Sequence, residues 1–245
     1  MSHRIIDVSR QYPYISPITE HVLVVPHNFP TIANAIEKAQ VNSTIHVYPG
    51  IYSEPLQVPD KVHIEGIGYD VVITGTSSFN GSGACKNVKL VSVITSPGTN
   101  RSFKDTQISG SLKCVESTVR LENSYVNGGI IDLGGNITLR FVVISGPYSL
   151  DLNNSICTAE NSTFENSVTL QGSTVLDCRQ TTIIDSNRDL IQTLNDTVTV
   201  QLFNCFAMGQ ALIKSGPGNS VRSNLISLGE ARELVGGSNI QLGSV

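Results

Sequence analysis

Along the last two-thirds of the chain, hydrophobic and polar residues alternate in short bursts that recur about every 19 residues. In register, the segments are 117–128 (STVRLENSYVNG), 136–146 (NITLRFVVISG), 155–166 (SICTAENSTFEN), 173–185, 196–208 and 219–229. The first β-branched residues, Val119, Ile137, Ile156, Val175, Val198 and Val221, are separated by 18, 19, 19, 23 and 23 positions. A second short strand precedes most repeats, as at 112–114, 131–133, 150–152 and 168–170. Several very short strands in each repeat of this length predict an all-β parallel β-helix, a solenoid in which every coil stacks on the one before.

Three segments follow from this pattern: a non-repetitive lead over 1–27, a β-helix over 28–229 and a C-terminal cap or tail over 230–245. A helix is expected near 30–40, where Phe29, Ile32, Ile36 and Ala39 share one face and Pro30 suits a helix start. An open solenoid end exposes core and unpaired strand edges, and this amphipathic helix is the expected cap. Short apolar strands with glycines at 44–52, 62–66 and 71–75 predict the first coils. Stretches 76–87 and 97–106 are expected to be loops, and 230–235 a short helix.

Composition changes the picture little but excludes several classes. Charged residues make up 15% of the chain, against about 25% in ordinary domains. Ser, Thr, Asn and 21 glycines fill the gap, as stacked turns require. The net charge of −4 and the lack of a basic run argue against nucleic acid. No apolar run is long enough to span a membrane. The lead lacks the apolar core of a signal peptide, so cytoplasmic synthesis is expected. The five cysteines form no C-x-x-C pair and read as buried thiols. Seven N-x-S/T sequons reflect turn composition.

The text from Phe29 to Gly75 resembles the opening of the pectin lyase-like superfamily of right-handed parallel β-helices, which includes the pectin methylesterases. The resemblance rests on Phe29-Pro30-Thr31-Ile32, the Ala35-Ile36 helix, His46-Val47-Tyr48-Pro49-Gly50, Ile64-Glu65-Gly66 and Val72-Ile73-Thr74-Gly75. It implies a right-handed fold, shared by enzymes and by non-catalytic proteins, some of them on viral surfaces. Ile131-Asp132-Leu133-Gly134 is similar to the strand that carries the esterases' nucleophilic aspartate. The family's Gln motif, its second aspartate and its Arg–Trp pair have no counterpart, and the chain has no Trp.

Aligning the second strands places Lys113, Asp132 and Asp151 in one column, with coils ~4.8 Å apart. Alternation then turns Ile131 and Leu133 to the core and the aspartates to solvent, where Lys113 neutralises its neighbour. A stacked carboxylate pair also suits a glycosidase acid–base pair or a calcium site, calcium being the one cofactor these residues suggest. His46 and His63 alternate with apolar residues and are expected to face outward on neighbouring coils, a weak metal pair. Asn123, Asn161, Gln180, Asn204 and Asn224 read as a structural amide ladder. Phe141 and Phe164 are expected in the core, leaving Tyr125 and Tyr148 as candidate glycan contacts.

The function expected from these features is a structural or adhesion module without catalysis: a rigid spike, fibre or decoration, with a virion as one setting. A homotrimer is expected from apolar residues over 225–241, with a surface glycan or other virion proteins as partners. A polysaccharide lyase or glycosidase using Asp132 and Asp151, or a glycan-binding module without turnover, are the alternatives.

Overall fold

A computed structural model describes residues 21–185, 190–193 and 197–208, together with the backbone of 209, 213–214, 220–228, 234–235 and 239–242. The N-terminal lead to residue 20 and most of the 230–245 tail lie outside the described residues. So do the side chains over 225–241 on which the trimer expectation rests.

The chain winds as a parallel β-solenoid, consistent with the right hand that parallel crossovers take. From Val22 to Thr199 it makes nine full turns, and consecutive strands of the first face pair in parallel throughout. That face holds strands such as Asn100–Lys104, Thr118–Glu122, Asn136–Arg140 and Ile156–Glu160. A second face has strands of two residues, such as Gln107–Ile108, Tyr125–Val126 and Val143–Ile144. The third holds Leu112–Val115, Ile130–Leu133, Leu150–Asn153 and Val168–Gln171.

Two tight corners set the register. Between the first and second faces, one residue per coil sits in the left-handed region: Asp70, Asn87, Asp105, Asn123, Phe141, Asn161, Gln180 and Asn204, with φ from 48° to 64°. Asn, Asp and Gly tolerate this region best, which explains most of the column. From Asn87 to Gln180 each corner amide donates to a carbonyl of the next coil, as in Asn123 N–H to Arg140 O at 3.0 Å and Phe141 N–H to Glu160 O at 3.1 Å. The following residue is usually a buried hydroxyl that donates back into the turn. Examples are Ser124 to Glu122 O, Ser162 to Glu160 O and Thr181 to Arg179 O, at 2.8, 2.9 and 3.0 Å.

Strand pleating then fixes which residues point inward. Positions two and four before the corner residue enter the core: Leu121 and Val119, Leu139 and Ile137, Ala159 and Cys157, Cys178 and Leu176, Leu202 and Val200, all buried. This corrects the expected anchors. Ile156 pairs with Asn136 and Val175, outside the core, and is 50% exposed, while Cys157 continues the inward column of Ile137. Val198 precedes the strand, though it is itself buried, and Val200 takes the strand's inward place opposite Leu176. The corner, not the first β-branched residue, sets the phase.

Other expectations shift for the same reason. Segments 76–87 and 97–106 contain strands, within Val71–Phe79, Ser82–Lys86 and Asn100–Lys104, most of whose polar residues face out, Ser77 and Arg101 excepted, while Phe79, Cys85 and Phe103 pack inside. Leu234–Val235 is a strand paired with Ile213–Lys214, not part of a helix. The capping helix spans Ile32–Lys38. Its N-cap is Thr31, whose Oγ1 accepts from Asn34 N–H at 3.1 Å, so Pro30 lies before the cap rather than in the first turn. Glu54 accepts from the amides of Ile32 and Ala33, both at 2.9 Å, and Ile32 and Ala35 are buried over the end of the core.

Asp105 at the corner sends Arg101, four positions earlier, into the core. The Arg101 guanidinium donates to Val62 O and Asn80 O, each at 2.6 Å, and to Pro59 O, and it lies 5.4 Å from the Phe79 ring centre. Burial lowers its pKa, yet an arginine stays charged at any physiological pH. Gly83, at the equivalent position of the preceding coil, leaves the space: a Cβ there would lie 2.1 Å from Arg101 Nη1.

The register makes a direct prediction. Ile156→Thr changes unfolding free energy by less than about 0.5 kcal/mol, whereas Cys157→Ser, which puts an unsatisfied hydroxyl in the core, costs about 1–3 kcal/mol. Urea denaturation of both variants measures this, and the reverse order would contradict the inward column.

Candidate binding groove at the corner

The third face places the aspartate pair otherwise than expected. Its corner residues Glu116, Gly134, Asn154 and Gly172 also have positive φ. Two and four positions before them lie Cys114 and Leu112, Asp132 and Ile130, Leu152 and Leu150, Leu170 and Val168, all inward and buried. Asp132 therefore pairs with Cys114 and Leu152, while Asp151 pairs with Ile131 and Thr169 on the outer surface. The two carboxylates sit on opposite sides of the sheet. The stacked column that would carry acid–base chemistry or calcium does not form, and Ile131, not Asp132, faces outward. The outer column of this face is Ile94, Lys113, Ile131 and Asp151. Gln171 Nε2 lies 3.4 Å from Asp151 Oδ1.

Asp132 is fully buried, and neither carboxylate oxygen has a hydrogen bond of good geometry. Burial raises its pKa, against a weaker opposing pull from the Ser155 hydroxyl and the amides of Gly135 and Leu133. The same core pushes the Cys114 thiol up to about 12, and Cys157 and Cys178 rise further. These thiols are buried and inert, not nucleophiles.

The histidines do not converge either. His46 pairs with Glu65 on the next coil, Nε2 to Oε2 at 3.8 Å, whereas His63 pairs with Thr44. His63 Nδ1 accepts from Ala84 N–H at 3.1 Å, and burial, Arg101 and Lys86 lower its pKa in that order. Among the described residues, no three His, Cys, Asp or Glu side chains are grouped to hold a metal.

A groove of about 500 Å³ does run along the corner between the first and second faces, within the usual range for ligand sites. It spans five consecutive coils. One wall is the corner column Asp70, Asn87, Asp105, Asn123 and Phe141, spaced by 17 or 18 residues; the other is the outward column Lys89, Gln107, Tyr125 and Val143 of the second face. Four coil steps make it ~19 Å long. Tyr69 stands at one end, 88% exposed, and Phe141 at the other, 51% exposed.

Hydrogen bonds hold the polar lining in place. Lys89 Nζ reaches Asp70 Oδ1 at 2.7 Å. Asn123 Nδ2 donates to Asp105 Oδ1, and Asn87 Nδ2 donates to Gly66 O and Gly68 O at 2.8 and 2.7 Å. Tyr125 O–H donates to Ser145 Oγ at 2.8 Å, and Ser145 donates on to Asn127 Oδ1 at 2.8 Å.

Phe141 breaks the pattern of its column. Where other coils read Lys104-Asp105-Thr106, Glu122-Asn123-Ser124 or Glu160-Asn161-Ser162, this coil reads Arg140-Phe141-Val142. Phe141 keeps the left-handed φ of 53° without a side-chain amide and stays exposed rather than entering the core as expected. Arg140 lies 5.4 Å from its ring centre. Phe164 is buried as expected, and Tyr125 lines the groove, while Tyr148, 47% exposed, lies outside it. Asn123, Asn161, Gln180 and Asn204 of the expected ladder form a backbone corner that also includes Asp105 and Phe141, while the side chain of Asn224 lies outside the described residues. Tyr69 and Phe141 carried no obvious signal, and only a count from the corner would have revealed Phe141.

No family model and no curated protein matches the chain. A solved structure of a pectin methylesterase mutant in complex with a hexasaccharide is similar at 10% identity and a TM-score of 0.40, over 78% of this chain and 82% of that one.

Asp132 yields a pH prediction. Its folded pKa lies above the unfolded value of about 3.9. Its contribution to stability is therefore complete below that value and is lost as pH rises through the folded pKa. Asp132→Asn should be more stable than the wild type by about 1–3 kcal/mol at pH 8, with the gap closing toward pH 3.5. Thermal melts of the two proteins across this range check it, and a gap independent of pH would contradict a buried carboxylate.

Proposed function

We propose that the chain is an adhesion β-helix, a stiff rod that holds carbohydrate in the corner groove without turning it over. The observation that carries this reading is Phe141. A non-glycine residue in the left-handed region costs about 1–2 kcal/mol, and an exposed ring gains little burial in return. Its contact with Arg140 offsets only about 0.5–1 kcal/mol. Backbone strain held at an exposed aromatic is a mark of function.

The surroundings support the same reading. Exposed aromatic rings offer flat apolar faces to the C–H faces of sugars, and amides between them supply both donors and acceptors for hydroxyls. The carboxylates in the groove are engaged with Lys89 and Asn123, which suits holding a ligand more than transferring protons. In this reading the solenoid supplies stiffness and a fixed ~4.8 Å spacing of contacts, and the rod is carried at a surface as a spike, fibre or decoration.

Phe141→Asn separates the roles. Asn suits the corner, so the variant should gain about 0.5–1 kcal/mol in unfolding free energy while losing at least tenfold in glycan affinity. A glycan array with the wild-type protein, followed by calorimetry on any hit, measures the second effect. A variant that binds equally well, or a wild-type protein that retains no glycan, would overturn the proposal.

A further inference from the structure

The charge of the groove narrows its occupant. We infer that it takes a neutral linear oligosaccharide laid parallel to the rod axis and disfavours uronate or sulfated chains; this rests on the reading of the groove as a carbohydrate site. Two carboxylates, Asp70 and Asp105, stand on the corner wall. The lining cation, Lys89, closes on Asp70 at 2.7 Å, and Asp105 receives only the neutral amide of Asn123.

Two of the three cations that border the groove on the first face are also engaged, and the third, Lys86 beside Asn87, is exposed and outside these pairs. On the adjoining column of the first face, Lys104 pairs with Glu122 at 3.2 Å and Arg140 with Glu160 at 3.6 Å, and Arg140 lies against the Phe141 ring. An anionic sugar entering at the middle coil therefore meets Asp105, with Lys86 one coil away beside Asn87 as the cation outside these pairs. A neutral sugar meets no such repulsion, and its hydroxyls can donate to Asp105 and exchange both kinds of hydrogen bond with Gln107 and Asn123.

The shape fixes the orientation. Equivalent contacts recur along the axis at each coil, and the exposed rings of Tyr69 and Phe141 stand at the two ends. An extended chain lying along the axis reaches both rings, and one lying across it reaches a single coil.

Calorimetry on the full chain with two series of matched length tests this, one of neutral hexose and N-acetylhexosamine oligomers and one of oligogalacturonates. The neutral series should bind and the uronates should bind at least tenfold more weakly. Asp105→Asn, which keeps a residue already found at this corner in neighbouring coils, should narrow that ratio, as should added salt. Uronates that bind as well as neutral oligomers, with binding still lost in Phe141→Asn, would overturn the inference and leave the groove as a carbohydrate site. No binding of either series would overturn the site and the inference together.

Discussion

A single left-handed residue per coil, repeated from Asn87 to Asn204, determines where the other side chains of the first face point. The turn it makes is too short to absorb a slip, and a one-residue slip would exchange core and surface on the whole strand. Backbone amides across the corner tie each coil to the next, so the phase set in one coil is passed on. The third face obeys the same count from its own corner at Glu116, Gly134, Asn154 and Gly172. Core composition follows from this geometry: Val, Ile, Leu, Cys, Ala and Phe fill most inward places of these two faces, and the charged exceptions there are Arg101 and Asp132.

Those two exceptions have opposite character. Arg101 brings its own solution, since three carbonyls accept from it and Gly83 gives it room. It stitches the 59–62 and 80 segments to a later coil from within. Asp132 has no comparable set of partners, and burial drives it toward the neutral acid. A buried acid of this kind is a cost to the fold that a core of thiols and leucines does not need. Phe141 is a third departure, placed on the surface, where strain and exposure coincide with a groove.

Much of the architecture was legible in the sequence. The 19-residue period gave the parallel β-helix, the amphipathic stretch after Phe29 gave the cap, and the Asn column pointed to the corner. The phase was not legible from β-branched residues, because Ile156 and Cys157 are both plausible core residues and only the distance to Asn161 distinguishes them. The same error moved Asp132 to the surface: Ile131-Asp132-Leu133 alternates correctly in either register, and Gly134 decides between them. The loops expected over 76–87 and 97–106 hid strands because outward residues of a solenoid are small and polar, like those of a loop. Tyr125 was found as a surface aromatic. The groove was not, since it depends on five coils stacking and no segment contains it.

The central claim is that the corner repeat converts a regular rod into a linear site. Amide chemical-shift mapping by NMR during titration with a neutral oligosaccharide tests it most directly. The account predicts shifts that recur at the coil spacing, at 69–71, 87–89, 105–107, 123–125 and 141–143, with the third face around Asp132 and Asp151 unmoved. Shifts centred on the third face, or confined to a single coil, would contradict it.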